Sequence, residues 1–239
     1  MQILRREVKI MDVRKGEKSI LVKNVQEWLV LHDYGVMIDG DFGPATEEAV
    51  KRFQLGNNLK DTGVVNDKTF ELLNAPLIRA TRRDLPLTKT LGDMVVAVAE
   101  NHLAEHPREC GGENSGPWCQ YYLQGNSGSN YPWCAAFVCS IVKQACAIFG
   151  VKMPISETFS CDLLARNSTL VQCPNARLAS GSIFILKKGQ DYFHTGIVKL
   201  FNSDFYSTIE GNTNVAGARE GIECRERIRG YKNVDFIVI

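Results

Sequence analysis

The first third of the chain sets short apolar clusters at helical spacing between Gly- and Asp-rich turns. Ile20, Leu21, Val25, Trp28 and Leu29 share one helical face and predict an amphipathic first helix. After Asp39-Gly40-Asp41-Phe42-Gly43-Pro44 a second helix is expected from Ala45 to Gln54, with Val50 and Phe53 facing inward. A third begins near Asn66, a residue suited to the N-cap, and carries Thr69, Phe70, Leu72 and Leu73. Asp39-Gly40-Asp41-Phe42-Gly43-Pro44-Ala45-Thr46 and Asp61-Thr62-Gly63-Val64-Val65-Asn66-Asp67-Lys68-Thr69 form a weak internal repeat. Each is a tight turn, in which Gly supplies positive φ, followed by a helix with an early Thr before its apolar positions.

Residues 76–90 break this pattern with Pro76, Pro86 and the basic residues Arg79, Arg82, Arg83 and Lys89 against one acidic residue, Asp84. The stretch is expected to be a solvated linker; weak attraction to an anionic polymer is the lesser alternative. From residue 91 the spacing lengthens. Met94, Val95, Val98 and Leu103 form a helical stripe ending before Pro107, followed by the polar stretch Gly111-Gly112-Glu113-Asn114-Ser115-Gly116-Pro117 and a short helical piece around Tyr121 and Leu123. Pro132 precedes a strongly apolar helix from about Trp133 to Phe149. Apolar runs of strand length then cover Ser182–Leu186, His194–Leu200, Phe205–Ile209, Ile222–Ile228 and Val234–Ile239. The expected organisation is a small all-α three-helix domain over 1–75, a linker over 76–90, and an α+β domain over 91–239 with helices packed on an antiparallel sheet.

Bulk properties narrow the function classes. In 239 residues, 44% are hydrophobic and 23% charged, which suits a globular protein with a sizeable core. A net charge of +1 argues against a nucleic-acid partner. No apolar run approaches the roughly 20 residues of a membrane span, so no membrane insertion is expected. Met1-Gln2-Ile3-Leu4-Arg5-Arg6-Glu7 lacks the apolar stretch of a secretory signal, and the chain is expected to be made in the cytoplasm wherever it finally works. The eight cysteines, Cys110, Cys119, Cys134, Cys139, Cys146, Cys161, Cys173 and Cys224, all lie in the later region. If Cys134 stays free an odd number remains; reduced, buried thiols are expected, with a structural disulfide or two left open.

The candidate chemistry centres on Tyr131-Pro132-Trp133-Cys134-Ala135-Ala136-Phe137, then His194-Thr195-Gly196-Ile197-Val198, then Glu210-Gly211-Asn212. A thiol, an imidazole and a carboxylate or amide in this order are the parts of a cysteine nucleophile site for acyl transfer. Cys134 at a helix N-terminus would have a lowered pKa, and the free N–H groups there could hold an oxyanion. Cys139 and Cys146, further along the helix, read as packing residues. Neighbouring antiparallel strands would set Glu210 or Asn212 beside His194, and the residues alone do not choose between them. His102 and His106 with Cys110 have ligand-like spacing, but Pro107 intervenes and no fourth ligand follows; two exposed histidines are expected there, and no metal or cofactor.

These motifs resemble the CHAP (cysteine, histidine-dependent amidohydrolase/peptidase) branch of the NlpC/P60 superfamily, papain-like peptidoglycan hydrolases common in phage endolysins. Over 91–239 the resemblance implies a papain-like fold, Cys134 as nucleophile, His194 as base, and Glu210 with Asn212 as supporting polar groups. It implies substrate contacts from Asn114, in the loop before the nucleophile, and from Trp133. The turn Asp39–Thr46 with Ala49-Val50 and Phe53-Gln54 is similar to a three-helix peptidoglycan-binding domain over about 12–75, with Asp39 and Asp41 as candidate wall contacts. Together they imply a monomeric, modular wall-lytic enzyme that cleaves a muramoyl–L-alanine bond or a bond within the stem peptide or cross-bridge. The alternatives are a non-catalytic wall-binding or assembly protein with a decayed site, and an injected antibacterial amidase.

Overall fold

The computed structural model describes residues 12–172, 178–214 and 221–239; the first seven residues and Cys173, both used above, lie outside them. The chain divides into two compact units, Met1–Pro76 and Leu77–Ile239.

The first unit contains α1 (Ile20–Leu31), α2 (Pro44–Gly56) and α3 (Asp67–Leu73). The Ser19 hydroxyl caps α1 by accepting from the Val22 N–H, and the Asn66 side chain caps α3 by accepting from the Thr69 N–H. Val22, Val25, Trp28 and Leu29 on α1 are buried, as are Ala49, Val50 and Phe53 on α2, Leu73 on α3, and Phe42 and Val65 in the turns, and α1 packs on both other helices. Each large apolar side chain buried this way contributes roughly 1.5–3 kcal/mol before entropy is counted. The expected apolar stripe starts later than its spacing suggested: Ile20, at the first helical position, is 77% exposed.

The internal repeat has a physical basis in two buried glutamines. The Gln26 amide donates to Asp39 Oδ1, the Asp41 carbonyl and Thr46 Oγ1, and its oxygen accepts from the Asp39 and Gly40 N–H groups. Gln54 does the same for the second turn, donating to Thr62 Oγ1, the Val64 carbonyl and Thr69 Oγ1 and accepting from the Gly63 N–H. In each copy one side chain supplies the partners that a buried turn needs. Gly40 and Gly63 take positive φ at the equivalent point.

The second unit places α5 (Leu91–Ala104), α6 (Pro117–Tyr122), α7 (Cys134–Phe149) and α8 (Cys161–Arg166) before, among the described residues, six strands. These are β1 (Val171–Gln172), β2 (Ile183–Lys188), β3 (Asp191–Phe201), β4 (Tyr206–Thr213), β5 (Glu223–Arg229) and β6 (Val234–Ile237). They form one sheet in the order β1-β6-β2-β3-β4-β5, with every pair antiparallel. α7 packs on the sheet and runs until Gly150, whose left-handed φ of 79° ends it.

The expected linker needs correction. Helix α4 (Ala75–Ala80) occupies its start, and the segment after it is pinned to the second unit. Gln144 on α7 donates to the carbonyls of Ala80 and Arg82, Asn101 on α5 donates to those of Arg79 and Ala80, and the Arg79 guanidinium makes a two-pronged pair with Glu105. A solvated connector would leave these backbone groups to water. Here they are held by side chains of the helices they cross.

Candidate active site

Cys134 is the first residue of α7, and the Trp133 N-cap makes no side-chain cap bond there. The opening N–H groups of the helix are therefore left without a side-chain cap, and the Ala135 N–H lies at the Cys134 sulfur. Trp133 is fixed by packing: its ring lies parallel to Tyr122 at 5.5 Å, and its Nε1–H donates to Glu109 Oε1 at 2.9 Å. Glu109 Oε2 accepts from the Asn114 N–H, so one carboxylate ties the polar loop to the start of α7.

The two motif glycines bring the helix and strands together. A Cβ on Gly211 would lie 2.7 Å from Phe137 Cβ and 2.7 Å from the Trp133 ring, so α7 can sit on β4 only with glycine there. A Cβ on Gly196 would lie 2.7 Å from Phe184 and 2.8 Å from Glu210 Cγ. Its absence lets the Glu210 side chain run along β3 to His194.

His194 Nε2 lies 2.8 Å from Glu210 Oε2, with both side chains buried. A carboxylate only accepts, so the Nε2 nitrogen carries the proton and donates. The other nitrogen, Nδ1, makes no hydrogen bond and is the one available to the Cys134 sulfur. Glu210 also receives both prongs of the Arg229 guanidinium and the Thr208 hydroxyl. Burial would raise its pKa, but Arg229 and His194 outweigh that and hold it at about 2.

The Cys161 thiol on α8 lies 3.6 Å from the Cys134 sulfur. It is the largest influence holding the Cys134 thiol well below its ordinary range; burial opposes it, and His194 and the Ala135 N–H add to it. Burial likewise presses the His194 pKa down, but Cys134 and Glu210 outweigh it and hold the imidazole above its ordinary value. The pair thus favours thiolate and imidazolium. Cys134 is 2% exposed, with partly buried Tyr192 packed against its cluster. Tyr192 is anchored by its hydroxyl donating to Asp235, which also pairs with Lys187, and by its N–H donating to Asp162.

The structure therefore brings Cys134, His194 and Glu210 together and sets other expected residues apart. Asn212 is buried on β4 with φ of 54°, its Nδ2 makes no hydrogen bond, and the imidazole is already held by Glu210. Trp133 is corrected from a substrate contact to a core residue, since its ring is fully enclosed and its N–H is spent on Glu109. Asn114 is also buried; its carbonyl accepts from Gly128 and its N–H donates to Glu109, a loop-forming role. Asp39 is engaged with Gln26 and the Asp41 N–H, while Asp41 pairs with Lys18 at the surface.

The expectation of two exposed histidines fails for His102. It is wholly buried between the Tyr122 hydroxyl and the Gln144 carbonyl oxygen, and burial lowers its pKa to about 4. His106 alone is exposed. Among the described residues no group of three or more His, Cys, Asp or Glu is placed to hold a metal ion. Among the described residues no helix is long and apolar enough to cross a membrane.

Glu109, Cys161 and Arg229 escaped the sequence reading. Arg229 reaches Glu210 from β5 through sheet register, and Cys161 arrives on a six-residue helix without a periodic pattern. Neither leaves a local mark. Glu109 carried one weak signal, an acidic residue just before a glycine-rich loop.

No curated protein matches the chain. Residues 19–73 match a family model described as "Putative peptidoglycan binding domain". That range holds α1 to α3 and both glutamine-braced turns, so the chain carries a peptidoglycan-binding domain and peptidoglycan is the partner it indicates.

Proposed function

We propose that the second unit is a cysteine-dependent amide hydrolase of peptidoglycan, of the papain-like CHAP type, which the first unit tethers to the wall. One observation carries this reading: the Cys134 thiol opens a helix beside an imidazole whose Nε2 proton is held by a buried, doubly clamped carboxylate. A core histidine serving structure alone would spend both nitrogens on partners, as His102 does. His194 keeps Nδ1 toward the thiol.

In the proposed reaction the thiolate attacks the amide carbonyl carbon, and the N–H groups at the start of α7 stabilise the oxyanion. His194 passes its Nδ1 proton to the leaving amine as the C–N bond breaks, leaving a thioester on Cys134. Water, deprotonated by His194, then attacks the thioester and frees the acid and the thiol. Glu210 keeps its charge throughout and holds the imidazole in the required tautomer. Because Cys134 is nearly covered, a substrate enters only as the side chains over it move aside, and Tyr192 is the residue packed there. Tethering raises the local concentration of this site on an insoluble polymer.

The test is solubilisation of purified peptidoglycan by the wild type and Cys134→Ala, with co-sedimentation on the wall as the control for folding and binding. A loss of roughly 1,000-fold or more with binding intact supports the reading. Undiminished solubilisation by the variant refutes the nucleophile; binding by both without solubilisation makes the chain a wall binder only.

A further inference from the structure

We infer that Cys134 and Cys161 form a reversible disulfide switch, driven by hydrogen peroxide, that blocks the nucleophile. The two sulfurs are 3.6 Å apart, on α7 and α8, and share one buried cluster with Ala135 that no other described thiol enters. A disulfide requires the sulfurs to close by roughly 1.5 Å, to a bond of about 2.05 Å. Cys161 sits at the first position of its short helix, and Cys134 at the first position of its own, so each thiol is at an element's end. Of the two other thiols on α7, Cys139 and Cys146, the nearer along the helix, Cys139, is turned away, with its sulfur 3.8 Å from the Ser156 carbonyl. Burial holds it as a thiol, up at about 11, whereas Cys134 has the thiolate character that peroxide requires.

The chemistry balances without further reactants. The Cys134 thiolate attacks one peroxide oxygen, the O–O bond breaks, and the departing hydroxide takes the His194 proton to become water. Cys134 is now a sulfenic acid, oxidised by two electrons. The Cys161 sulfur attacks it; the S–S bond forms, the S–O bond breaks, and hydroxide leaves with the Cys161 proton as a second water. Two thiols and one peroxide become one disulfide and two waters. Peroxide is the size of a small solvent molecule, which suits a sulfur as enclosed as this one. In the disulfide no thiolate remains to attack a carbonyl, and the sulfur is kept from the irreversible sulfinic acid.

The importance of the switch rests on Cys134 being the hydrolytic nucleophile, but the bond itself does not. The test treats the full chain with a small excess of hydrogen peroxide, alkylates remaining thiols, and maps the peptides without reduction. The expected product joins the Cys134 and Cys161 peptides with loss of two hydrogens, and dithiothreitol restores Cys134 alkylation. In Cys161→Ser, checked for an unchanged melting temperature, the cross-link is absent and Cys134 passes to the sulfinic acid on the order of tenfold faster. Sulfinic acid forming equally fast in both proteins, or Cys134 joined to another cysteine, overturns the inference. Because the readout is the sulfur, a cross-link without wall hydrolysis removes only the hydrolase reading. Thiol-dependent hydrolysis without a cross-link removes only the switch.

Discussion

Glu210 on β4 accepts the Nε2 proton of His194 on β3 at 2.8 Å, and Arg229 and Thr208 occupy the rest of the same carboxylate. Of the two polar residues considered, it is Glu210 that hydrogen-bonds the imidazole, while the Asn212 amide nitrogen has no hydrogen-bond partner. Glu210→Gln leaves the mostly buried Arg229 guanidinium facing an amide, and removing one member of such a pair typically costs about 3–5 kcal/mol. We expect a large fall in urea stability of the second unit and a drop in the His194 pKa by NMR. Asn212→Ala leaves that pKa in place. Equal drops in both variants contradict the assignment.

The thiolate–imidazolium pair sets a pH signature. A free thiol titrates near 8.5, so a thiol held well below that value alkylates at pH 6, where ordinary cysteines are inert. His194→Ala removes one support of the thiolate and moves the alkylation profile to higher pH. Cys139, pushed up to about 11 by burial, stays unlabelled at pH 6. At the alkaline end, His194 loses its proton as pH rises through about 9, and hydrolysis declines with it because the leaving amine lacks its acid. Peptide-resolved alkylation rates from pH 4 to 8 check the acid limb, and wall solubilisation from pH 7 to 10 checks the alkaline one.

His102 makes the fold acid-sensitive. Its folded pKa of about 4 lies below the ordinary 6.5, so the unfolded chain binds the proton first. Stability from this group is complete above pH 6.5 and is lost as pH falls toward 4, at up to about 1.4 kcal/mol per unit. Glu210, held at about 2 against 4.5, adds its loss only below that upper value. His102→Gln should therefore flatten melting temperature against pH between 6.5 and 4.5 and leave the steeper acid limb. An unchanged slope in that window would show that His102 is not the group responsible.

The paired glutamines predict matched behaviour in the wall-binding unit. Gln26→Ala and Gln54→Ala each strand a turn whose backbone and threonine partners have no substitute, at about 1–3 kcal/mol for each buried group left unmade. Both should lower the melting temperature of an isolated 12–76 fragment and its wall binding together. Asp41→Ala, which removes only an exposed ion pair with Lys18, should leave stability within about 0.5 kcal/mol. If it abolishes wall binding while stability holds, Asp41 is a contact residue.

Much of this was legible because the chain writes local facts plainly. The helical stripes, the N-cap at Asn66 and the Cys134 helix start follow from spacing and capping chemistry. Pairing across strands was legible only as adjacency: β3 next to β4 put Glu210 near His194, while Arg229 reaches them by a register that no short motif encodes. Trp133 misled because an aromatic beside a nucleophile suggests substrate stacking, whereas Tyr122, eleven residues earlier in sequence, claims its face. His102 misled because a polar helix face hides partners contributed by α6 and α7. The glycines of His194-Thr195-Gly196 and Glu210-Gly211-Asn212 were visible as motifs, but their reason, clearance for Glu210 and for α7, needed three dimensions.

The central claim is that Cys134 breaks an amide of peptidoglycan, and mass spectrometry of wall digests tests it most directly. Wild-type protein should release fragments bearing one new amine and one new carboxyl, the latter being the freed muramic acid carboxyl if the muramoyl–L-alanine bond is cut, at a single bond type, and Cys134→Ala should release none. The same new termini from Cys134→Ala, or fragments carrying new reducing sugar ends in place of new amines, would contradict it.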